Sequence, residues 1–438
     1  MMRLALIAAL LATSPAVAAP DFAGAVKADY DKSLGALWDH FHRNPELSFL
    51  ETKTAARMAQ ELRGVAGFTV TEGVGGTGVV AVMRNGSGPT VLLRADMDGL
   101  PVEEKTGLSN ASKVRQTTLA GDVQPVMHAC GHDVHITSMV GTARQLSAMK
   151  DRWKGTVVLI IQPAEERVGG AKAMVEDGLY TRFPKPDYAL AFHVAAELAT
   201  GHIAASEGIQ YSSSDSIDIT VRGIGTHGAS PNSGKDPVYM GAQIVQALQG
   251  IISRERAPLS PGVITVGSFH AGSKHNIISD RADLQVTVRA NDEATRAQLI
   301  AGVKRVAEGV GRLNGLPDDK LPIVKVIEGT PTTINDAGLA RRLNASLAKG
   351  LGAGVVLPFV QKGMGAEDFA YLVEANQGIK GYYFAVGGTP QAAIDAAAKG
   401  GPPIAGHHSP LFKIDPEPSV RLGIEAMTLA VLDLLAKK

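Results

Sequence analysis

The sequence has very little cysteine, since Cys130 is the only one among 438 residues. A single cysteine cannot form a disulfide within the chain, so no internal cross-link is available to stabilise the fold. Cys130 is therefore buried, reactive or bound to another group. This makes the segment around it, "VMHACGHDVH" (residues 126–135), the first candidate for a chemical site.

An excess of charge is also missing. The chain has 43 basic and 43 acidic residues and a formal net charge of zero. Proteins that bind polyanions usually carry a surplus of positive charge. The sequence therefore predicts no nucleic-acid partner.

Long apolar runs are absent as well. The N-terminal run over residues 4–12 is shorter than the roughly 20 residues that a membrane span needs, and no later run reaches that length. Arg3 before this run and the small residues Ala16-Val17-Ala18 after it are typical of a secretory signal peptide. We therefore predict a signal peptide over residues 1–19, an exported protein that is periplasmic or secreted, and no membrane attachment in the mature form. A disordered or buried N-terminal helix is the alternative.

What the sequence does contain is a repeated strand design. Three apolar runs end in polar groups: "TVLLRADMDGLP" (90–101), "GTVVLIIQPAEE" (155–166) and "DYALAFHV" (187–194). Runs that are apolar on both faces are typical of buried parallel strands covered by helices. Ligands of such sheets bind outside the carboxyl ends of the strands. The sequence therefore predicts an α/β fold with a mostly parallel central sheet and a polar site at one edge.

The pattern changes near residue 213. "SIDITVRG" and "ADLQVTVRA" alternate apolar and polar residues, as half-exposed antiparallel strands do. With the helices and strands between and after them, the predicted order is β-α-β-β-α-β, that of a ferredoxin-like unit. We predict an α+β domain over residues 213–328, inserted into an α/β domain formed by residues 20–212 and 329–438.

The candidate metal ligands are cysteine, histidine and glutamate side chains near the predicted strand ends: Cys130, His132, Glu166, His193 and either His407 or His408. Zinc accepts all three ligand types, and mixed sets of this kind accept other first-row metals. A histidine stripe of His128, His132 and His135 on one helix is the rival interpretation.

The acidic pair "EE" at residues 165–166 offers two carboxylates that can have different roles. Adjacent residues after a strand point in different directions, so one carboxylate can hold a metal while the other remains free. A metal lowers the pKa of bound water towards roughly 7, and a free carboxylate nearby can accept its proton. The alternative for Glu165 is a solvated surface acid.

Several ordered motifs resemble the M20 metallopeptidase family. They are "RADMDGLPVEEKTG", "MHACGHDVH", "IIQPAEE", "GGAKAMVEDGL", "GTHGASP", "GMGAEDF" and "HHSPLF", and they run from about residue 30 to the end of the chain. They look most like the amidohydrolase branch, which includes hippurate hydrolase, auxin–amino-acid conjugate hydrolases and N-acyl-amino-acid amidohydrolases. The resemblance implies a catalytic domain with a dinuclear metal centre and an inserted domain that serves as lid and dimerisation surface.

The resemblance also implies roles for single residues. Cys130, His132, Glu166 and His193 look like metal ligands, and His408, which directly precedes Ser409-Pro410, looks like the last one. Glu165 resembles the general base, and Asp98 the aspartate that supports a metal ligand. The wider family has histidine two positions before that aspartate, where this chain has Asp96. Cys130 is then the replacement ligand.

In the inserted region, the resemblance implies substrate contacts. His227 resembles the histidine that reaches the partner subunit's active site and stabilises the oxyanion. Asn276 and Arg289 resemble residues that hold the substrate's carboxylate or carbonyl oxygen. Gly365 lies in a turn where a backbone amide can face the substrate. For Arg289 the alternative is a solvated strand residue.

Together these observations predict a metal-dependent amidohydrolase that cleaves N-acyl amino acids or related small amides. Its cofactors are two divalent ions, zinc or manganese first, with cobalt or nickel also possible. We expect a homodimer through the inserted domain. A metallo-exopeptidase of the same family, either a dipeptidase or a carboxypeptidase, is the alternative enzyme. A periplasmic binding protein on a hydrolase fold, or an interaction module, is the non-enzymatic alternative.

Overall fold

A computed structural model describes residues 22–374 and 378–437. The predicted signal peptide lies outside these residues and stays a prediction. Within the described ranges, no helix combines the length and apolar character that crossing a membrane requires.

The described chain alternates helices and strands. The helices are α1 (Phe22–Asp29), α2 (Gly35–Arg43), α3 (Thr52–Arg63), α4 (His132–Ala148), α5 (Gly170–Glu176), α6 (Leu179–Arg182), α7 (Pro237–Gly250), α8 (Glu293–Leu313), α9 (Ala337–Leu351), α10 (Ala370–Glu374), α11 (Gln391–Ala398) and α12 (Pro416–Leu434). The strands are β1 (Thr69–Val74), β2 (Gly78–Asn85), β3 (Thr90–Asp96), β4 (Arg115–Thr117), β5 (Val123–Pro125), β6 (Gly155–Gln162), β7 (Tyr188–Ala199), β8 (Ile203–Ala204), β9 (Gly208–Tyr211), β10 (Ser214–Arg222), β11 (Thr226–His227), β12 (Gly262–Ala271), β13 (Ile277–Ile278), β14 (Arg281–Ala290), β15 (Ile323–Thr330), β16 (Thr333–Asn335), β17 (Val356–Leu357) and β18 (Lys380–Thr389).

The larger sheet has eight strands in the order β1-β2-β6-β3-β7-β18-β8-β17. Its centre, β6-β3-β7-β18, is parallel, while β1 and β2 pair antiparallel at one side. Apolar side chains of the central strands are buried on both faces, against α4 and α12 on one and α5 on the other. Burial on both faces explains why the sequence of these strands is apolar without alternation. The predicted α/β fold is confirmed.

The second sheet has four antiparallel strands in the order β12-β14-β10-β15. Along the chain, its elements follow as β10-α7-β12-β14-α8-β15, with the short β11 and β13 pairing separately. One face of the sheet packs on α7 and α8, and their apolar side chains form one core. The other face is partly exposed, which is the physical origin of the alternating sequence pattern. The order of elements is the predicted β-α-β-β-α-β, and the proposed domain boundaries stay predictions.

Candidate metal centre

The parallel strands of the large sheet bring polar residues to one edge. Asp96 ends β3 and Asp98 follows it, while Glu165 comes after the end of β6. His193 lies inside β7, because that strand continues to Ala199. Its pairing with β3 stops at Ala191, so His193 emerges beyond the last residue of β7 that β3 covers.

A tight turn delivers Cys130 and His132. Gly131 between them has φ 85°, and a Cβ at this position would overlap the side chain of Val194. A glycine is therefore required here for both the backbone conformation and the close approach. His132 is the first residue of α4, so the two candidate ligands converge from a turn, as their spacing predicts.

Cys130 faces the imidazole of His193. Its Sγ lies 3.3 Å from His193 Nε2. His193 Nδ1 donates to the carbonyl of Val194 at 2.7 Å, so Nε2 keeps its lone pair for a metal. Burial, with the Glu166 and Glu165 carboxylates nearby, raises the pKa of the Cys130 thiol well above its usual value. A bound cation would reverse this and hold the thiolate.

His132 points at the acidic pair. Its Nδ1 donates to the carbonyl oxygen of Asp98 at 2.9 Å and lies 3.2 Å from the Asp98 carboxylate. Nε2 is thereby free and lies 4.0 Å from an oxygen of Glu165 and 4.0 Å from one of Glu166. Carboxylates behind a histidine commonly orient it towards a metal, which fits the predicted supporting role of Asp98. Asp98 Oδ2 also accepts the Glu166 backbone N–H at 3.1 Å.

The two histidines before Ser409 differ in the nitrogen that they leave free. His407 Nε2 accepts the Ala196 N–H at 3.4 Å, so Nδ1 carries the proton and donates to Cys130 Sγ at 3.6 Å. His408 Nε2 instead lies 3.3 Å from Glu166 Oε2. Both ring nitrogens of His407 thus have partners, while His408 faces the predicted ligand Glu166, and each histidine lies in a group of candidate ligands with Cys130.

We therefore expect His408→Ala to lower the metal content towards one ion per chain and to remove most activity. His407→Ala should keep two ions per chain, because it removes only a hydrogen bond to the sulfur. Metal analysis of the two purified variants beside the wild type measures the difference. Loss of an ion from the His407 variant alone would reverse the assignment.

Glu165 lies in a constrained turn. The residues before and after the pair Glu165-Glu166 include two in left-handed conformations, Ala164 (φ 50°) and Val168 (φ 45°), and His408 has φ 65°. Non-glycine residues in this region are strained and tend to occur at functional sites. Only 7% of the surface of Glu165 is exposed, so the alternative of a solvated surface acid is wrong.

The centre is rich in negative charge. Burial and the carboxylates of Glu367 and Glu166 raise the pKa of Glu165 well above its usual value. Burial opposes a charged imidazole at His132, but Asp96 and Asp98 outweigh it and raise its pKa to about 10. Both shifts show an excess of carboxylates that a cation would relieve.

The donor set fits divalent cations. His132 Nε2 and Glu166 Oε1 are buried and have no hydrogen-bond partner among the described residues. Such unpaired buried atoms are costly unless something binds them. Cys130, Glu166 and His408 each offer an atom within 4.8 Å of the others, and so do Asp96, His132 and Glu165. The predicted ligands thus gather in one place, with thiolate, imidazole and carboxylate donors that suit transition metals.

Sequence reasoning missed part of this site. Arg94 is 1% exposed and pairs with Asp96 at 2.6 Å, Glu367 at 2.6 Å and Asp368 at 3.2 Å. A carboxylate oxygen of Glu367 lies within 4.8 Å of one of Glu165. The motif "RADMDG" places the charged Arg94 in an apolar strand, and a buried charge requires a buried partner. The acidic residues of "GMGAEDF" are such partners.

Both ring nitrogens of His135 have partners among the described residues. Its Nε2 accepts the Val194 N–H at 2.8 Å and its Nδ1 contacts Asp96 at 2.5 Å, so neither nitrogen is left for a metal. The histidine stripe of His128, His132 and His135 is therefore not the site. Asp96 contacts both Arg94 and His135, and whether Cys130 replaces it as a ligand stays a prediction.

The predicted substrate residues occupy several different elements of the structure. His227 is exposed in β11, and its backbone neighbour Gly228 bonds to Asn276 at 2.8 Å. Arg289 is half-buried in β14. Gly365 accepts the Ser212 N–H at 2.8 Å. Among the residues that the structure describes, no hydrogen bond or ion pair joins these four to the predicted metal ligands.

Comparison with known proteins agrees with this geometry. The model of peptidase family M20/M25/M40 matches residues 92–399. A hippurate hydrolase from Campylobacter jejuni is 38% identical over 77% of this chain and 84% of its own length. Thermostable carboxypeptidase 2 from Saccharolobus solfataricus is 36% identical over 78% of this chain and 83% of its own. The crystal structure of a dinuclear metal-binding M20 peptidase from Bacillus subtilis superposes with a TM-score of 0.74 and 27% identity, over 94% of this chain and 99% of that one. The chain therefore belongs to peptidase family M20/M25/M40.

Proposed function

We propose that the protein hydrolyses the amide bond of N-acyl amino acids, with Glu165 as general base beside two divalent ions. The observation that carries the proposal is the position of Glu165. Its carboxylate is buried, lies 4.0 Å from His132 Nε2 and adjoins the predicted ligand Glu166, yet it accepts no hydrogen bond from the described residues. A free carboxylate at that point is suited to take a proton from water.

In this proposal, different residues bind the metal ions, transfer the proton and orient the ligands. Cys130, His132, Glu166, His193 and His408 would hold the ions, which when bound polarise a carbonyl and acidify water. Glu165 takes the proton and delivers it to the leaving nitrogen of the amide. Asp98 fixes the tautomer of His132, and His407 donates to the sulfur of Cys130. Zinc or manganese is the proposed metal pair, with cobalt and nickel as further candidates.

A cavity beside Glu166 supports a small acyl group. It has a volume of about 330 Å³, at the lower end for ligand pockets. Its walls include Leu47, Leu50, Leu100 and Leu119 as well as Glu166. An apolar wall next to a predicted metal ligand suits the acyl side of the scissile bond.

Arg289 supports recognition of a carboxylate. It has no hydrogen bond or ion pair among the described residues, and the carboxylate of nearby Asp215 is occupied by Arg296 at 2.8 Å. Burial lowers the pKa of Arg289, with Asp215 opposing the effect. A half-buried guanidinium without a partner can hold a carboxylate through its planar fork.

We expect Arg289→Gln to raise KM for an N-acyl amino acid roughly 10- to 100-fold, as loss of a charged hydrogen bond does. KM for the matching substrate with an amidated carboxyl group should change little, because that substrate has no carboxylate to hold. Arg281→Gln is the matched control, since Arg281 lies on the same strand but is exposed and paired with Asp283 at 2.6 Å. Equal losses on both substrates would contradict the role.

The proposal is tested by assaying the metal-loaded protein against N-acetyl amino acids, N-benzoyl amino acids and dipeptides. Preferential release of amino acid from the acylated substrates is expected. Preferential turnover of dipeptides would favour the exopeptidase alternative, to which the similarity to a carboxypeptidase points. Binding without any turnover would contradict both.

We further propose export of the protein and a homodimer through the inserted region, with His227 acting in the active site of the second copy. The exposed position of His227 supports this role. Light scattering gives the oligomeric state, and N-terminal sequencing of the exported protein gives the cleavage site.

A further inference from the structure

Glu367 is one of the most tightly held side chains near the candidate centre. Its Oε1 accepts from Arg94 Nη2 at 2.6 Å and from the Phe369 N–H at 2.9 Å. Its Oε2 accepts from the Tyr383 hydroxyl at 2.5 Å and from Arg94 Nη1 at 3.3 Å. A carboxylate that accepts four hydrogen bonds, two of them from one bidentate arginine, is fixed in place.

Arg94 is itself anchored by two neighbouring strands. Its Nε donates to Gln162 Oε1 at 2.8 Å, and Gln162 Nε2 donates onward to Asp368 at 2.7 Å. Arg94 lies in β3 and Gln162 at the end of β6, which pair in parallel register. The clamp is therefore built on the rigid centre of the sheet.

The backbone of Glu367 is held as well. Its carbonyl oxygen accepts from the hydroxyls of Thr333 at 3.0 Å and Thr330 at 3.4 Å. These two threonines lie where the chain returns from the four-stranded sheet. Side chain and backbone of Glu367 thus have little freedom to move.

The fixed carboxylate of Glu367 lies close to the proposed base, Glu165. An oxygen of Glu165, one of Glu367 and one of Asp368 lie within 4.8 Å of one another. No described residue donates a hydrogen bond to the carboxylate of Glu165, so hydrogen bonds do not set the orientation of this group. Like charges repel, so a fixed carboxylate at this distance restricts where the Glu165 oxygens can lie, and one of them is 4.0 Å from His132 Nε2.

We propose that Glu367, clamped by Arg94 and Tyr383, is the positioning residue for the Glu165 carboxylate. This rests on the proposed role of Glu165 as general base. Glu367 does not itself take the proton or bind a metal, because its lone pairs are already occupied. Catalysis depends on the base being within a fraction of an ångström of its proper place, and a displacement of about 1 Å costs up to ~10²-fold in rate.

Glu367→Gln keeps the shape of the side chain and removes its charge. We expect kcat to fall roughly 10- to 100-fold, with KM and the content of two metal ions unchanged. Tyr383→Phe removes one donor and keeps the ring, so a smaller fall in kcat is expected. Tyr382→Phe is the matched control, because Tyr382 is the adjacent residue of β18 and its hydroxyl bonds to Asn344 instead. If the Glu367 variant does not fold, the Tyr383 and Tyr382 pair decides.

A double-mutant cycle tests whether Glu367 acts through Glu165. We expect the loss in Glu165→Asp/Glu367→Gln to be smaller than the product of the two single losses, since both changes disturb the same group. Multiplicative losses, a wild-type kcat in Glu367→Gln, or loss of metal from that variant would each overturn the proposal. A wild-type protein that cleaves no amide contradicts the proposed function instead, so the two failures are distinguishable.

Discussion

Replacing Glu165 by glutamine is expected to lower kcat about 10²- to 10⁴-fold, the range typical for loss of a general acid–base group. Glutamine has the same shape, so the turn between Ala164 and Val168 should be preserved. Glutamine cannot accept a proton. It would therefore neither take the proton from water nor deliver one to the leaving nitrogen. Measured kcat and KM for an N-acyl amino acid, with metal content determined on the same sample, provide the test.

The control for this experiment is Glu103→Gln. Glu103 is an exposed acid that pairs with exposed Lys105 at 3.7 Å, so its loss should leave activity unchanged. Undiminished turnover in Glu165→Gln with both ions bound would contradict its role as base. A simultaneous loss of metal would instead show that Glu165 binds an ion together with His132, whose Nε2 lies 4.0 Å away.

Replacing Cys130 by alanine is expected to remove metal from the centre and to lower activity by more than ~10²-fold. Even residues that only support metal ligands typically cost 10- to 100-fold when they are removed, so loss of a ligand should cost more. The thiol is 3.3 Å from His193 Nε2, and the chain has no other cysteine to replace it.

Cobalt gives this prediction a readout that does not depend on activity. Because Cys130 is the only cysteine, a thiolate-to-cobalt charge-transfer band after addition of Co²⁺ to the metal-free protein reports on this one residue. We expect the band in the wild type and its absence in the alanine variant. A wild-type protein that binds two cobalt ions without such a band would remove Cys130 from the ligand set. The control is His202→Ala, which keeps the single cysteine and leaves the predicted ligands unchanged.

The parallel centre of the sheet was predictable because burial on both faces leaves an apolar run, and the antiparallel sheet because exposure of one face leaves alternation. The elements from β10 to β15 appear in the predicted order for that reason. The short strands β4, β5, β8 and β17 were not predicted. Each has two or three residues, too few for a period to be visible.

The candidate ligands were predictable for a different reason. Cysteine, histidine and paired glutamates at strand ends are chemically conspicuous, and the motifs that contain them resemble a known family. The structure brings Cys130, His132, Glu166, His193 and His408 together, although they come from four separate parts of the chain. Their roles as ligands stay a prediction that metal analysis can test.

The sequence by itself determined which donor atoms are available in this protein and which of its strands are buried. Only the tertiary structure decided what each of those atoms has as a neighbour. A hydrogen bond from Ala196 distinguishes His407 from His408, and the clamp on Glu367 depends on an arginine 273 positions away in the chain. Such pairings leave no period or spacing in a sequence, because a buried charge can be neutralised by any residue that the fold brings to it.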